Sequence, residues 1–336
     1  MRILIATDAW NCLNGVVTTL VNVANELEKQ GHQVYWITPE EYSLTYPCPT
    51  YPEIRIPVDI WKTSSLIKML NPDVIHIATE GSIGFSVRRY CLKNDIPFTT
   101  SYHTKFPEYI QKRFGFGLDV TYSYLKWFHK PSNQVLVTSQ SMNEELTNKG
   151  FTNLVNWPRG VNRSLFKDTG TPLNKQLVII YVGRVSIEKN IEAFLDLKLS
   201  AHKIVVGDGP EKERLEKLYP EVTWLGALTG KDLVNAYNSA NVFVFPSKSD
   251  TYGIVNLEAN ACGLPIAAYP VTGPIDIVVQ GKNGYLDNNL ELAVLKCVRI
   301  DKKDIKTISK RHTWENCANI FLKTAIKSLL IQKTRI

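Results

Sequence analysis

Short apolar runs recur along this chain, each closed by a polar turn and followed by apolar positions spaced three and four apart. In the first half Arg2–Thr7, Val34–Thr38, Val74–Ala78, Pro97–Tyr102 and Val135–Ser139 read as strands, with Val155–Arg159 as a further extended segment. Leu177–Gly183, Ile204–Val206, Val222–Leu225 and Val242–Phe245 do the same in the second half. These runs are continuous rather than alternating, as expected of strands covered on both faces of a parallel sheet. Val16–Lys29, Ser64–Leu70, Met142–Lys149, Ile191–Leu197 and Ile254–Ala261 carry helical spacing, and Gly31, Gly150 and Gly263 supply stops. The pattern predicts an α/β fold. Residues 39–60, rich in proline and tyrosine, interrupt it and read as a loop with one short strand. Asp168–Gln176, DTGTPLNKQ, is polar and turn-rich, the best linker in the chain. It divides a first domain, residues 1–167, from a second, 168–311. No repeat with a period of 20–50 residues is present.

A length of 336 residues also favours two cores over one. The formal net charge of +7 points to an anionic partner, which can be a nucleotide, a nucleic acid or a membrane. Six cysteines lie far apart without a CxxC pair, which fits reduced thiols in a cytosol better than disulfides or a zinc site. No apolar run is long enough to span a bilayer, and Asp8 follows the first strand too soon for a signal peptide. A soluble or peripheral protein is expected.

The richest chemistry lies in Phe243–Gly263, FVFPSKSDTYGIVNLEANACG. A buried strand stops at Pro246, and a polar turn leads into the helix Ile254–Ala261. Asp250 and Thr251 occupy N-cap positions, and Gly253 permits close approach of a ligand to the backbone. Free amides at the positive end of a helix suit a phosphate. Glu258 lies two turns inside, on nearly the same face. Upstream, Arg184 and Lys189 in GRVSIEKN sit in a strand-to-helix loop, where two cations can straddle a diphosphate. His103 follows a strand in SYHT. Glu80 stands at another strand's carboxyl end, placed either to meet an acceptor hydroxyl or to cap the next helix. Gly15 occupies the first loop, and GxGxxG is absent, which argues against a dinucleotide oxidoreductase.

Asp250 and Glu258, separated by seven residues in DTYGIVNLEA and followed by GLPIAAYPVTGP, resemble the donor-binding signature of glycosyltransferase family 4. That family usually has glutamate at both acidic positions; the first here is Asp250, one methylene shorter. The resemblance implies a GT-B fold, two Rossmann-like domains facing a cleft, with a C-terminal helix over residues 312–336 returning to the first domain. It implies a retaining transfer of a hexose from a nucleotide sugar, with no covalent nucleophile and the leaving phosphate as base. Asp250, Tyr252, Gly253 and Ile254 would hold sugar and phosphate, Glu258 the ribose, Arg184 and Lys189 the departing diphosphate. Gly15 would approach the phosphates, and His103 would orient the sugar once the domains close. No DxD pair of carboxylates is present, so neither a metal nor another cofactor is expected. The donor is expected to be a UDP-hexose, glucose or glucuronic acid, with GDP-mannose as the alternative.

Lys105–Lys130 differs from the rest in being both basic and aromatic. Two helical patterns flank Phe114-Gly115-Phe116-Gly117, with Lys112 and Arg113 on one side and Lys126 and Lys130 along the other. Such a segment can be core, but aromatic and basic residues together also suit lipid headgroups. The chain is similar here to bacterial enzymes that glycosylate diacylglycerol, with mannosyltransferases as near relatives. A lipid acceptor and an anionic membrane surface are therefore the expected partners, with no nucleic acid. The enzyme would be cytoplasmic and peripheral on the inner face of the cell membrane. A GT-B epimerase and a non-catalytic sugar-nucleotide-binding protein are the other readings that this donor half allows.

Overall fold

The computed structural model describes residues 1–11, 14–48, 51–170 and 176–333. The chain divides into two compact units, Met1–Arg159 with Trp314–Ile336, and Gly160–Thr313. The division precedes the polar stretch read as the linker. Of that stretch, residues 171–175 lie outside the described residues. Asp168 already belongs to the second unit, where Lys306 Nζ stands 2.9 Å from its carboxylate.

The first unit carries strands β1 Arg2–Ala6, β2 Gln33–Ile37, β3 Thr45–Cys48, β4 Tyr51–Pro57, β5 Val74–Ile77, β6 Phe98–Tyr102, β7 Val135–Val137 and β8 Leu154–Asn156. Its sheet has the order β2-β1-β5-β6-β7-β8, parallel throughout. Helices α1 Gly15–Lys29, α2 Thr63–Leu70, α3 Ser82–Lys93, α4 Phe106–Phe114, α5 Leu118–His129 and α6 Gln140–Asn148 make the connections. The proline-rich segment departs from expectation, since it forms an antiparallel hairpin, β3 with β4, rather than one strand. Prolines are tolerated there because the hairpin stands outside the main sheet and needs fewer ladder donors.

The second unit holds β9 Leu177–Val182, β10 Ala201–Val206, β11 Thr223–Trp224, β12 Val242–Phe245, β13 Ile266–Ala268 and β14 Gly284–Leu286. They pair in the order β11-β10-β9-β12-β13-β14, again all parallel. Ile179, Ile180, Val242 and Phe243 are fully buried at its centre, which explains their unbroken apolar runs. Each such side chain contributes about 1.5–3 kcal/mol. Its helices are α7 Glu192–Leu195, α8 Lys212–Leu218, α9 Gly230–Asn238, α10 Ile254–Ala261, α11 Pro274–Ile277, α12 Leu290–Cys297 and α13 Lys302–Ser309. The helix expected over Ile191–Leu197 is a single turn, Glu192–Leu195, and stops at Asp196.

The last helix, α14 Trp314–Lys333, belongs to the first unit. Trp157 Nε1 donates to Cys317 O at 2.9 Å, and Phe321 packs edge-on to His76 at 4.8 Å between ring centres. The helical return expected for residues 312–336 therefore starts at Trp314. Cys48, Cys91, Cys262, Cys297 and Cys317 are free thiols, and Cys12 lies outside the described residues.

Candidate active site

In the second sheet the chain starts at β9, moves outward to β11, then returns to the other side of β9 with β12. The point where strand order reverses, outside the strands' carboxyl ends, is where open α/β sheets bind ligands. Arg184 and Lys189 leave β9 there, and Asp250 follows β12. The two loops are sewn together. Asn190 Nδ2 donates to Pro246 O at 3.0 Å, Ser249 Oγ to Glu188 O at 2.9 Å, and Lys189 Nζ forms an ion pair with Asp250 Oδ1. Tyr181 Oη also donates to Arg184 O at 2.7 Å. A Cβ on Gly207 would lie 1.8 Å from Gly183 O, so neighbouring backbone fills the space beneath this loop.

Asp250 does not cap α10, contrary to the sequence reading. Its carboxylate is turned to Lys189, and Gly253 is the N-cap at φ 80°. A Cβ there would meet Asn256 Nδ2 at 2.6 Å and Phe245 Cζ at 2.7 Å, so the position requires glycine on both counts. Asn256 turns its amide back on Gly253 O at 3.0 Å, and among the described residues no side chain caps the helix. The amide-rich, positive end at Tyr252–Ile254 thus has the character of an anion site. The Tyr252 side chain itself is buried, its hydroxyl 3.3 Å from His312 Nδ1, so only its backbone serves that end.

Glu258 is held from one side by Tyr237, whose hydroxyl donates to Oε2 at 3.1 Å. Burial pushes the carboxyl up to about 7 and outweighs the opposing effect of the tyrosine hydrogen bond. The far end of α10 is clamped by Asn260 and Asn283, whose side chains bond each other at 2.6 Å inside the core. Asn283 is fully buried.

In the first unit, His103 ends a buried polar chain. Arg159 Nη2 donates to its Nδ1 at 3.0 Å, so Nε2 carries the proton and donates to Ser101 Oγ at 2.8 Å. Ser101 Oγ lies 3.1 Å from His76 Nε2, and His76 Nδ1 lies 2.9 Å from Thr99 Oγ1. Burial, then the charge of Arg159, hold His103 well below the usual histidine range and His76 down to about 3. Both rings are neutral at physiological pH. Arg159 escaped the sequence reading because its partner lies 56 residues upstream.

Glu80 Oε1 is 3.1 Å from His129 Nε2, and Tyr124 Oη donates to Glu80 O at 2.7 Å. The cap of α3 is Asp8, not Glu80. The Asp8 carboxylate accepts from Ile83 N at 2.8 Å, Gly84 N at 3.3 Å and Thr79 Oγ1 at 2.8 Å. The signal was available: an acidic residue immediately after a buried strand, at the sheet's own switch point between β1 and β5. Gly15 is not a loop residue but the exposed first residue of α1, and Asn14 caps that helix by accepting from Val17 N at 2.9 Å.

α4 and α5 pack as a pair joined by Gly115 and Gly117, both left-handed. α5 buries Tyr122, Leu125, Phe128 and His129, yet Val120, Tyr124 and Trp127 stay exposed. Phe114 and Phe116 are 53% and 71% exposed at the tip, so the segment is not wholly core. Lys112 and Arg113 are exposed beside the tip, and Lys126 reaches Lys149 O at 3.4 Å further along α5. No described helix is long and apolar enough to cross a membrane. Among the described residues no cluster of metal-ligating side chains is present.

Residues 13–165 match the family described as Glycosyltransferase Family 4, and residues 163–289 match Glycosyl transferases group 1. The sulfoquinovosyl transferase of Arabidopsis thaliana is 31% identical over 82% of this chain, which spans 61% of that relative's length. A GDP-mannose-dependent alpha-mannosyltransferase of Corynebacterium glutamicum is 27% identical over 85% of this chain and 76% of its own. An alpha-monoglucosyldiacylglycerol synthase of Acholeplasma laidlawii is 27% identical over 92% and 91%. Among solved structures, sucrose-phosphate synthase from Thermosynechococcus elongatus superposes with TM-score 0.74 at 19% identity, covering 99% of this chain and 98% of its own. Anabaena HepE, in complex with UDP and glucose, superposes with TM-score 0.70 at 17% identity, covering 96% and 99%. These structural likenesses give both units the GT-B architecture that their parallel sheets already suggest. With a Glycosyltransferase Family 4 match on the first half, a group 1 glycosyltransferase match on the second and relatives of that class along most of its length, the chain is a glycosyltransferase.

Proposed function

We propose that the enzyme transfers a hexose from a UDP-sugar to a lipid acceptor, diacylglycerol, with retention at the anomeric carbon. The donor assignment rests on the Lys189–Asp250 pair at the switch point beside an uncapped helix end, with Arg184 on the loop that carries Lys189 and Glu258 on that helix. His103 is assigned to the donor sugar, Gly15 to the phosphates and Glu80 to the acceptor hydroxyl. The lipid assignment rests on one observation, the exposed Phe114–Phe116 tip beside Lys112 and Arg113. The Acholeplasma relative supports it. On this reading the enzyme is a peripheral protein of the cytoplasmic membrane face that needs no metal and no nucleic acid. The Corynebacterium relative favours a second reading, mannosyl transfer from GDP-mannose.

The test is incubation with radiolabelled UDP-glucose, UDP-glucuronic acid or GDP-mannose, with diacylglycerol vesicles or soluble glycans as acceptors. Label from a UDP-sugar in the lipid extract, α-linked and undiminished by EDTA, is expected. Label only from GDP-mannose selects the second reading, and label only in soluble glycans removes the lipid. Activity abolished by EDTA and restored by magnesium would overturn metal independence.

Glu258 supplies a further check. Glu258→Ala should weaken donor binding about ten- to a hundredfold, since charge-assisted hydrogen bonds contribute roughly 1.5–3 kcal/mol each. Ribose hydroxyls donate to the ionised carboxylate, whereas burial holds the empty site's carboxyl up at about 7. Donor binding should therefore strengthen as pH rises through 7 and release a proton below it. Well below that point affinity should fall by about tenfold per pH unit. The sign for stability is opposite: the empty protein should gain stability as pH falls from 7 towards the ordinary carboxylate range. Calorimetry in two buffers of different ionisation heat reads the proton; a flat pH profile would remove Glu258 from the donor site.

A further inference from the structure

The β3–β4 hairpin interrupts the strand–helix alternation of the first unit and walls a cavity of about 280 Å³ above the carboxyl ends of β1 and β2. Trp10 enters it from the loop after β1, Glu40 and Tyr42 from the turn after β2, and Thr45 and Arg55 from the hairpin. Trp10 is braced on Trp36, ring centres 4.8 Å apart. The Glu40 carboxylate is fixed from two sides, by Trp10 Nε1 at 3.2 Å and by the Asn11 amide. Arg55 is fixed by Thr45, donating from Nη2 to its carbonyl at 2.9 Å and from Nε to its hydroxyl at 3.1 Å. Nothing assigned to the donor uses any of these residues.

The lining combines an indole, a phenol ring, one carboxylate, one guanidinium, an amide and a hydroxyl. An acyl chain there would desolvate both charges without compensation. A diphosphate would meet Glu40 as well as Arg55. A neutral sugar ring suits all of it: its C–H face lies on the indole, and adjacent hydroxyls donate to Glu40 and accept from Arg55. The volume is near the lower end of ligand pockets, roughly 300 Å³, enough for one ring and too little for a nucleotide. We propose that this cavity is a subsite for a neutral sugar or polyol ring of the acceptor, which rests on the assignment of Glu80, in the same unit, to the acceptor hydroxyl. A diacylglycerol enzyme with such a subsite would also accept a lipid already carrying one sugar.

The experiment is saturation-transfer NMR on the full chain with methyl α-D-glucopyranoside as probe. It is repeated with Glu40→Gln, with Trp10→Ala and with inorganic phosphate as competitor. Saturation of the sugar ring protons in the wild type, with binding weakened about tenfold or more in Glu40→Gln, is the expected result. Glu40→Gln is isosteric, so it stands as the test even if Trp10→Ala fails to fold. No saturation in the wild type, saturation unchanged in Glu40→Gln, or displacement of the sugar by phosphate would each overturn the proposal. A thermal shift of the wild type with UDP reports on the donor site alone. Its absence would overturn the donor reading and leave the sugar contact standing.

Discussion

Arg184→Ala is expected to lower turnover by about a hundred- to a thousandfold, the usual cost of deleting one preorganised partner of developing charge. Donor affinity should change only a few fold, because charge on the leaving diphosphate grows towards the transition state. Lys189→Ala should do more, because Lys189 is paired with Asp250. Without the lysine, Asp250 faces the diphosphate with its charge uncompensated, so KM should rise along with the fall in kcat. Adding Asp250→Asn to Lys189→Ala should recover KM and leave kcat low. Steady-state kinetics of the three variants separates these effects. Equal losses in donor binding and turnover for Arg184→Ala would mean uniform binding rather than leaving-group stabilisation.

Wild-type protein should sediment with anionic vesicles at low salt, and Lys112→Glu/Arg113→Glu should stay largely in the supernatant. A basic residue near an anionic surface contributes about 1 kcal/mol, so turning two positive charges negative removes up to about 4 kcal/mol before screening. The Debye length is about 8 Å at physiological ionic strength, so this part of the binding should fade as salt is raised. Phe114→Ser/Phe116→Ser should lose the salt-resistant remainder, since those two rings stand out from the tip. Wild-type protein that remains in solution at low salt would sink the lipid reading and leave the donor site untouched.

What the sequence made legible was whatever depends on near neighbours. β9 and β12 are continuous apolar runs because both sheet faces are covered, and a local pattern reports that directly. Gly253 and Glu258 could be read because strand, turn and helix follow one another within a few residues. Failures came where the partner was distant. Asp250 looks like a cap until Lys189, from another loop, takes its carboxylate. Glu80 competes on paper for a helix end that Asp8 occupies from 75 residues away. Tyr237, which steadies Glu258, went unnoticed in the sequence because its partner lies on another helix 21 residues away. The proline-rich hairpin was underread because strand propensity counts prolines as breakers, although a strand outside the main sheet accommodates them.

The position of α14 has a consequence for the order in which the protein is finished. Trp157, His76 and Asn133 obtain partners from Cys317, Phe321 and Ser328, so the first unit's interior is closed by the last helix to be made. Domains fold as units while the chain emerges, at about 5–20 residues per second. The stretch Gly160–Thr313 must be synthesised in between, an interval on the order of ten seconds. The half that begins first is therefore completed last, with the apolar seat of Phe321 uncovered while the second sheet assembles. A ribosome-stalled chain ending at Thr313 should show a protease-resistant second unit beside a first unit that is still readily cut.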